Sequence, residues 1–158
     1  MILGDVLETP YNHIAFKVNP DGWNSSSSAA GQISWRYGLG LEYTGEKSLG
    51  EVMSYQAGEK TLHALVCHSC DNSRESFKDM PKTVTKCLDS LDVPENEIIA
   101  VVLMTPGSWE GEVSGANYIE ILGGIARSKK KVVVYSRIPD SYVIKLGSDE
   151  IQRLLNTE

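Results

Sequence analysis

The stretch Ile98-Ile99-Ala100-Val101-Val102-Leu103-Met104 is apolar without a break. A short apolar run of this kind, rich in β-branched residues, suits a strand buried on both faces. Such a strand needs strand neighbours on both edges and helices above and below. The sequence around it supplies them. Thr61 to Cys67 reads as a strand. Pro81 to Leu91 places Val84, Cys87, Leu88 and Leu91 at helical intervals, with Asp79 and Pro81 as helix-opening chemistry and Pro94 and Asn96 closing the loop beyond. After the apolar run, Ser114 to Ser128 sets Ile119, Leu122 and Ile125 on one helical face. Lys131 to Ser136 is a Val-rich strand, and Ser148 to Leu155 a short helix with Ser148 as N-cap and Asp149 and Glu150 in its first turn. Strands that alternate with helices imply right-handed crossovers and a largely parallel sheet covered on both faces.

The first part of the chain adds an antiparallel element. Strands at Ile14 to Val18 and Val52 to Gln56 bracket a helix from Ala29 to Tyr37 that carries Ile33, Trp35 and Arg36. The turn Ala57-Gly58-Glu59-Lys60 then joins Val52 to Gln56 to the next strand as a hairpin, so the sheet is expected to be mixed. Val101 and Leu103 should lie in the core. Gly123 and Gly124 together cost on the order of 2 kcal/mol against alanine in a helix, and close packing against the sheet would explain them.

With 158 residues, 41% of them apolar, the chain is expected to form one α/β domain over residues 1–158. A chain of this size buries roughly 70% of its unfolded surface, enough for a core without staples. Fifteen basic against 21 acidic residues, a net charge of -6, leave no electrostatic footprint for non-specific nucleic-acid binding. No apolar run approaches the roughly 20 residues of a membrane span, and Met1 leads straight into strand-like sequence. A soluble, cytoplasmic protein is expected, with no membrane partner. Cys67, Cys70 and Cys87 are an odd number, which argues against a disulfide framework. Cys67 and Cys70 with His63 and His68 read either as a metal or redox pair or as reduced thiols near the core. A structural zinc site would need a second ligand pair with motif spacing, which the sequence lacks, so no metal and no cofactor are expected.

Ligands in such sheets sit beyond the carboxyl ends of the central strands, where loops enter helices. Two loops occupy that position. The first runs from Asn19 to Ala30 and contains Asp21, Gly22, Trp23, Asn24 and then Ser25, Ser26, Ser27, Ser28 and Ala29. Its small side chains, its hydroxyls and the helix behind it favour an anion; the alternative is a flexible serine-rich surface loop. The second, Thr105 to Gly115, contains Gly107, Ser108, Trp109, Glu110 and Gly111. Neither loop carries Lys or Arg, so a phosphate would be held by N–H groups and dipoles.

Together with the opening Ile2-Leu3-Gly4-Asp5-Val6, these pieces resemble the macro domain family. Its chains begin with a Gly-Asp-aliphatic motif and continue to a strand ending in Val-Asn, here Val18-Asn19. The likeness is greatest to the branch that includes ADP-ribosyl-glutamate hydrolases, through Ala30-Gly31-Gln32-Ile33, Arg36-Tyr37 and Leu49-Gly50-Glu51-Val52. It runs on to the Val-Val-Val-Tyr strand and covers most of Met1 to Arg137. The resemblance implies a macro-like fold and an ADP-ribose-class ligand. It would set Asp5, beside Val6, on the adenine amino group, Asn19 and Asp21 on the distal ribose, and Ser25 to Ala29 around the diphosphate. Gly107, Ser108, Trp109 and Gly111 would form the opposite wall, with Tyr135 stacked on adenine. Two departures stand out. Four serines replace the family's glycines in the first loop, where Cβ atoms restrict positive φ. Val66-Cys67-His68-Ser69 stands where the branch carries a nucleophilic lysine, and neutral imidazole does not form a Schiff base.

Three readings follow. The chain hydrolyses an ADP-ribose conjugate with His68 as general acid or base and Glu110 as base or water-orienter. It binds ADP-ribose or a related nucleotide without turnover. Or it is a degenerate macro-like domain that serves protein association through exposed Trp23 and Trp109. Binding is the expectation, with ADP-ribose or an ADP-ribosylated substrate as partner.

Overall fold

A computed structural model describes residues 2–3, 5–26, 28–68, 78–104 and 115–136. Its elements in chain order are β1 (Ile2–Leu3), a 3₁₀ turn (Val6–Glu8), β2 (His13–Val18), α1 (Ala29–Tyr37), β3 (Val52–Ala57), β4 (Lys60–Val66), α2 (Met80–Asp89), β5 (Ile98–Val102), α3 (Gly115–Ala126) and β6 (Lys131–Ser136). The strands form one six-stranded sheet in the order β1-β6-β5-β2-β4-β3. Every pair is parallel except β3 with β4, the hairpin closed by Ala57 opposite Lys60. The apolar run at Ile98 is an interior strand, between β2 and β6. The expected terminal helix, Ser148 to Leu155, lies outside the described residues.

Alternation along each strand divides the core in two. Ile14, Phe16 and Val18 of β2, Leu62, Ala64 and Val66 of β4, and Ala100 and Val102 of β5 point to one face. There they pack with Ala30 and Ile33 of α1, Val6 of the 3₁₀ turn and Leu41. Ala15, Leu65, Ile99, Val101 and Leu103 point to the other, against Met80, Val84, Cys87 and Leu88 of α2 and Ile121, Leu122 and Ile125 of α3. Successive strand side chains alternate sides, so a run apolar at every position serves two cores at once. Each fully buried Leu, Ile, Phe or Val stabilises the fold by roughly 1.5–3 kcal/mol.

Three local expectations are corrected. Ile119, expected on the buried face of its helix, is 41% exposed; Ile121 takes the buried place beside Leu122 and Ile125, because α3 turns that side toward α2 and the sheet. The glycine pair serves helix–helix rather than helix–sheet packing. A Cβ at Gly124 would stand 2.4 Å from the Pro81 carbonyl oxygen of α2, whereas one at Gly123 would meet nothing nearer than the Arg127 guanidinium at 3.7 Å. Thr85 of α2 donates its hydroxyl to the Gly124 carbonyl at 2.5 Å, across the same contact. Finally, Asp79 precedes α2 in αR conformation and makes no side-chain capping bond. Pro81 in the first turn does match the expectation, since that turn has no intrahelical use for its N–H.

Candidate functional site

The carboxyl ends of β2, β4 and β5 lie side by side, so the chain leaves the middle of the sheet at Asn19, Cys67 and Leu103. From β2 the loop to α1 is stitched into a fixed shape. The Asn19 carbonyl accepts from the Gly22 N–H, its backbone N–H donates to the Asn24 side chain at 3.0 Å, and its side-chain amide donates to the Trp23 carbonyl at 2.7 Å. The Asp21 carboxylate accepts from the Trp23 N–H at 3.0 Å. Asp21 is exposed and Asn19 half-buried.

Asn24 is the hub of this loop, and the sequence reading did not single it out. Its buried amide donates to the carbonyls of Gly22 and Leu41, and its backbone N–H donates to Glu42. The loop is thereby fastened to residues 41–47. Thr44 N–H donates to Gly22, and Lys47 N–H to Pro20. Gly22 has φ +88°, and a Cβ on it would come within 2.7 Å of the Gly45 backbone, so glycine meets both demands there. On the outside of this junction the rings of Trp23 and Tyr43 stack at 4.5 Å with a 37° tilt. The only sequence signal for Asn24 is an amide in a turn-rich stretch, which is too common to be read without the fold.

The serines that follow form the start of α1. Ser28 is the N-cap: its Oγ accepts from the Gly31 N–H at 3.1 Å and donates to the Ser25 carbonyl at 2.5 Å, which also takes the Ser28 N–H. Gly31 lies directly under this turn, where a Cβ would stand 2.3 Å from the Ser25 carbonyl oxygen. No described residue other than glycine has positive φ. Ser25 and Ser26 are exposed, Ser28 and Ala29 half-buried. The described residues of the loop thus form a hydrogen-bonded turn at a helix N-terminus. Ser27 lies outside the described residues.

Of the other expected residues, Asp5, Val6, Tyr135 and His68 are described. Asp5 is exposed and caps the 3₁₀ turn, its carboxylate accepting from the Leu7 N–H at 3.0 Å. Val6 is fully buried in the core against α1, and its carbonyl accepts from the Thr9 N–H. Tyr135 is 7% exposed on β6, packed with the same core. His68 is buried just beyond β4. Gly107, Ser108, Trp109, Glu110 and Gly111 lie outside the described residues, so the distance from His68 to Glu110 is not defined. Burial pushes the Cys67 thiol up to about 12 and the Cys87 thiol up to about 11, which makes both inert core groups at neutral pH. Cys70 lies outside the described residues. Among the described residues no three His, Cys, Asp or Glu side chains group as metal ligands.

No protein-family model and no curated protein matches the sequence. Solved structures do match in fold. The macrodomain of Mycobacterium tuberculosis DarG superposes with TM-score 0.59 at 16% identity, covering 85% of this chain and 97% of that one. A mutant of the Oceanobacillus iheyensis macrodomain with ADPR superposes with TM-score 0.60 at 15% identity, covering 99% and 92%. A structure described as alphavirus P23pro-zbd superposes with TM-score 0.65 at 12% identity over 97% of this chain, which spans 23% of that longer one. The chain has the fold of the macrodomains.

Proposed function

We propose that this chain binds ADP-ribose or a closely related nucleoside diphosphate beyond the carboxyl ends of β2 and β5. The observation that carries the reading is the tied turn from Asn19 to Ser28. It delivers the N-terminus of α1, with exposed serine hydroxyls and small side chains, to the carboxyl end of the sheet, where the N–H groups of a helix N-terminus face an anion. The Oceanobacillus iheyensis macrodomain, alike in fold, is a structure with ADPR. In this reading the diphosphate lies between Ser25 to Ala29 and the loop of Gly107, Ser108, Trp109 and Gly111. Asn19 and Asp21 face the distal ribose, Asp5 the adenine amino group, and Tyr135 lies beneath the base.

Calorimetric titration with ADP-ribose, and with ribose 5-phosphate as comparator, tests this. Saturable heat with ADP-ribose that exceeds that of ribose 5-phosphate is expected; no heat at millimolar ligand refutes the reading. Turnover is a separate question, carried by His68 and Glu110 as the proton-transfer pair. Hydrolysis of ADP-ribosylated protein, ADP-ribose 1″-phosphate or O-acetyl-ADP-ribose should fall roughly 10²- to 10⁴-fold in His68→Ala and Glu110→Gln if the pair is catalytic. Absence of turnover in the unaltered protein identifies a binding module.

A second reading, a protein-interaction module, is favoured by one observation. Trp35 is 85% exposed and Trp23 65% exposed beside Tyr43, and large aromatic surfaces open to water mark association sites. It takes precedence if ADP-ribose gives no heat.

A further inference from the structure

At the opposite end of the sheet from α1's N-terminus, four polar side chains form a single chain of hydrogen bonds. Glu97, just before β5, contacts His13 Nε2 at 2.5 Å. His13 Nδ1 contacts His63 Nε2 at 3.0 Å, the two rings edge to edge with centroids 5.2 Å apart and planes 18° apart. His63 Nδ1 contacts Ser54 Oγ at 2.7 Å. His63 and Ser54 are opposite one another in the β3–β4 hairpin. His13 and His63 share strand parity with Ala15 and Leu65, so the group lies on the α2 and α3 face of the sheet.

Protonation states follow from the donors and acceptors. An ionised carboxylate only accepts, so His13 donates from Nε2 to Glu97. Neutral His13 then accepts at Nδ1, and His63 donates to it from Nε2. Neutral His63 accepts at Nδ1, which leaves Ser54 as the donor. Every bond points toward Glu97, and the chain ends in a hydroxyl whose proton is already directed at an imidazole. A serine, a base and an acid-oriented partner in this order form a nucleophile-activating unit.

We propose that Ser54 is a nucleophile, activated through His63 by His13 and Glu97, that accepts an acyl group from a small ester. Ser54 Oγ attacks the ester carbonyl carbon as its proton moves to His63 Nδ1 and the Nε2 proton of His63 moves to His13 Nδ1. The positive charge then rests on His13 against Glu97. Burial holds the His63 pKa down at about 4, so His63 passes the charge on. The carbon–alkoxy bond breaks, the proton returns along the same chain to the alkoxide, and an acyl-Ser54 ester remains. Water releases it as the carboxylic acid by the same proton path.

The position of Ser54 suits this. It is exposed on β3, the edge strand. The Val66 N–H bonds to the Glu51 carbonyl, and antiparallel pairs alternate between bonded and non-bonded. Ser54 opposite His63 is thus a non-bonded pair, and its N–H points away from β4, toward the edge that no other described strand pairs with, where it can serve as an oxyanion donor. His63 acts as the base. His13 and Glu97 touch no substrate and are positioning residues.

The test is acylation by 4-nitrophenyl acetate, followed by release of 4-nitrophenolate and by mass mapping of the acetyl group. The expected result is a burst that places one acetyl group on Ser54. Ser54→Ala should abolish the burst. Glu97→Gln should slow it about ten-fold or more and change its pH profile, an effect that a purely structural role would not produce. Ser54 and Glu97 are both exposed, so the variants keep the fold, as an unchanged Tm would verify. Acetyl groups on lysines with Ser54 unmodified, an equal burst in Ser54→Ala, or wild-type rate and pH profile in Glu97→Gln would each overturn the proposal. The heat of ADP-ribose binding should be the same in Ser54→Ala as in the unaltered protein, which keeps this outcome separate from that of the nucleotide site.

Discussion

Gly31, in the first turn of α1, supports the carbonyl of Ser25: a Cβ at Gly31 would lie 2.3 Å from that oxygen and 2.6 Å from the Ser26 backbone. The contact is backbone on backbone, so no rotamer change relieves it. Gly31→Ala should push the serine turn off the helix end and destabilise the protein by about 1–3 kcal/mol, the usual cost of overpacking. It should also weaken ADP-ribose binding more than Ser26→Ala, which alters only an exposed hydroxyl. Thermal unfolding and calorimetry on the two variants check both parts. Equal affinities would detach the turn from the ligand.

The two glycines of α3 should respond in opposite senses. Gly124→Ala meets the α2 backbone at Pro81 and should lower stability by about 1–3 kcal/mol. Gly123→Ala finds only the tip of Arg127 and should raise it by up to about 1 kcal/mol through helix propensity. Denaturant midpoints at unchanged m-value decide this. A loss at both positions would contradict the packing described.

Asp5 has a measurable local role apart from any ligand, because it caps the 3₁₀ turn. Asparagine caps about as well as aspartate, so Asp5→Asn should leave Tm nearly unchanged. The same variant removes the charged acceptor proposed for adenine. A hydrogen bond to a charged group contributes roughly 1.5–3 kcal/mol, so ADP-ribose affinity should fall about ten-fold or more. Affinity for ribose 5-phosphate should not change. Unaltered ADP-ribose affinity removes Asp5 from the site.

The buried histidine makes stability depend on pH. Burial, with a smaller contribution from the charge of His13, lowers the His63 pKa from 6.5 to about 4. Between those values the unfolded chain binds a proton that the folded chain excludes, so stability is complete above about pH 6.5 and falls as the pH drops toward 4. Down to pH 5 the expected loss is at most about 2 kcal/mol, since solvent screening reduces the His13 part of the shift. Urea unfolding from about pH 7.5 to pH 5, above most carboxylate titration, measures it. His63→Asn should flatten that slope, and a wild-type profile already flat over the range would show that His63 titrates normally.

Much of the architecture was legible because it rests on periodicity. Val101 and Leu103 are buried as the unbroken run requires, and the hairpin at Gly58 pairs as its turn predicts. The helices at Ala29, Pro81 and Ser114 appear within a residue or two of their expected starts. Ile119 was misplaced because α3 carries apolar residues on more than one side. Periodicity alone then leaves open which side meets α2.

At the ligand end, the strand-to-helix position of the serine loop and the N-cap chemistry of Ser28 are local properties, and the sequence determined them. The tertiary structure decided that Asn24 fastens the loop to residues 41–47, that Gly31 packs under Ser25, and that Gly124 packs on Pro81. It also decided that His13, Ser54, His63 and Glu97 meet. His13 and Glu97 are 84 positions apart. Local sequence fixes which way each side chain points along its own strand. Only the order and register of strands distant in the chain determine which polar groups become neighbours, because that order minimises exposed apolar surface over the whole sheet rather than within any one segment.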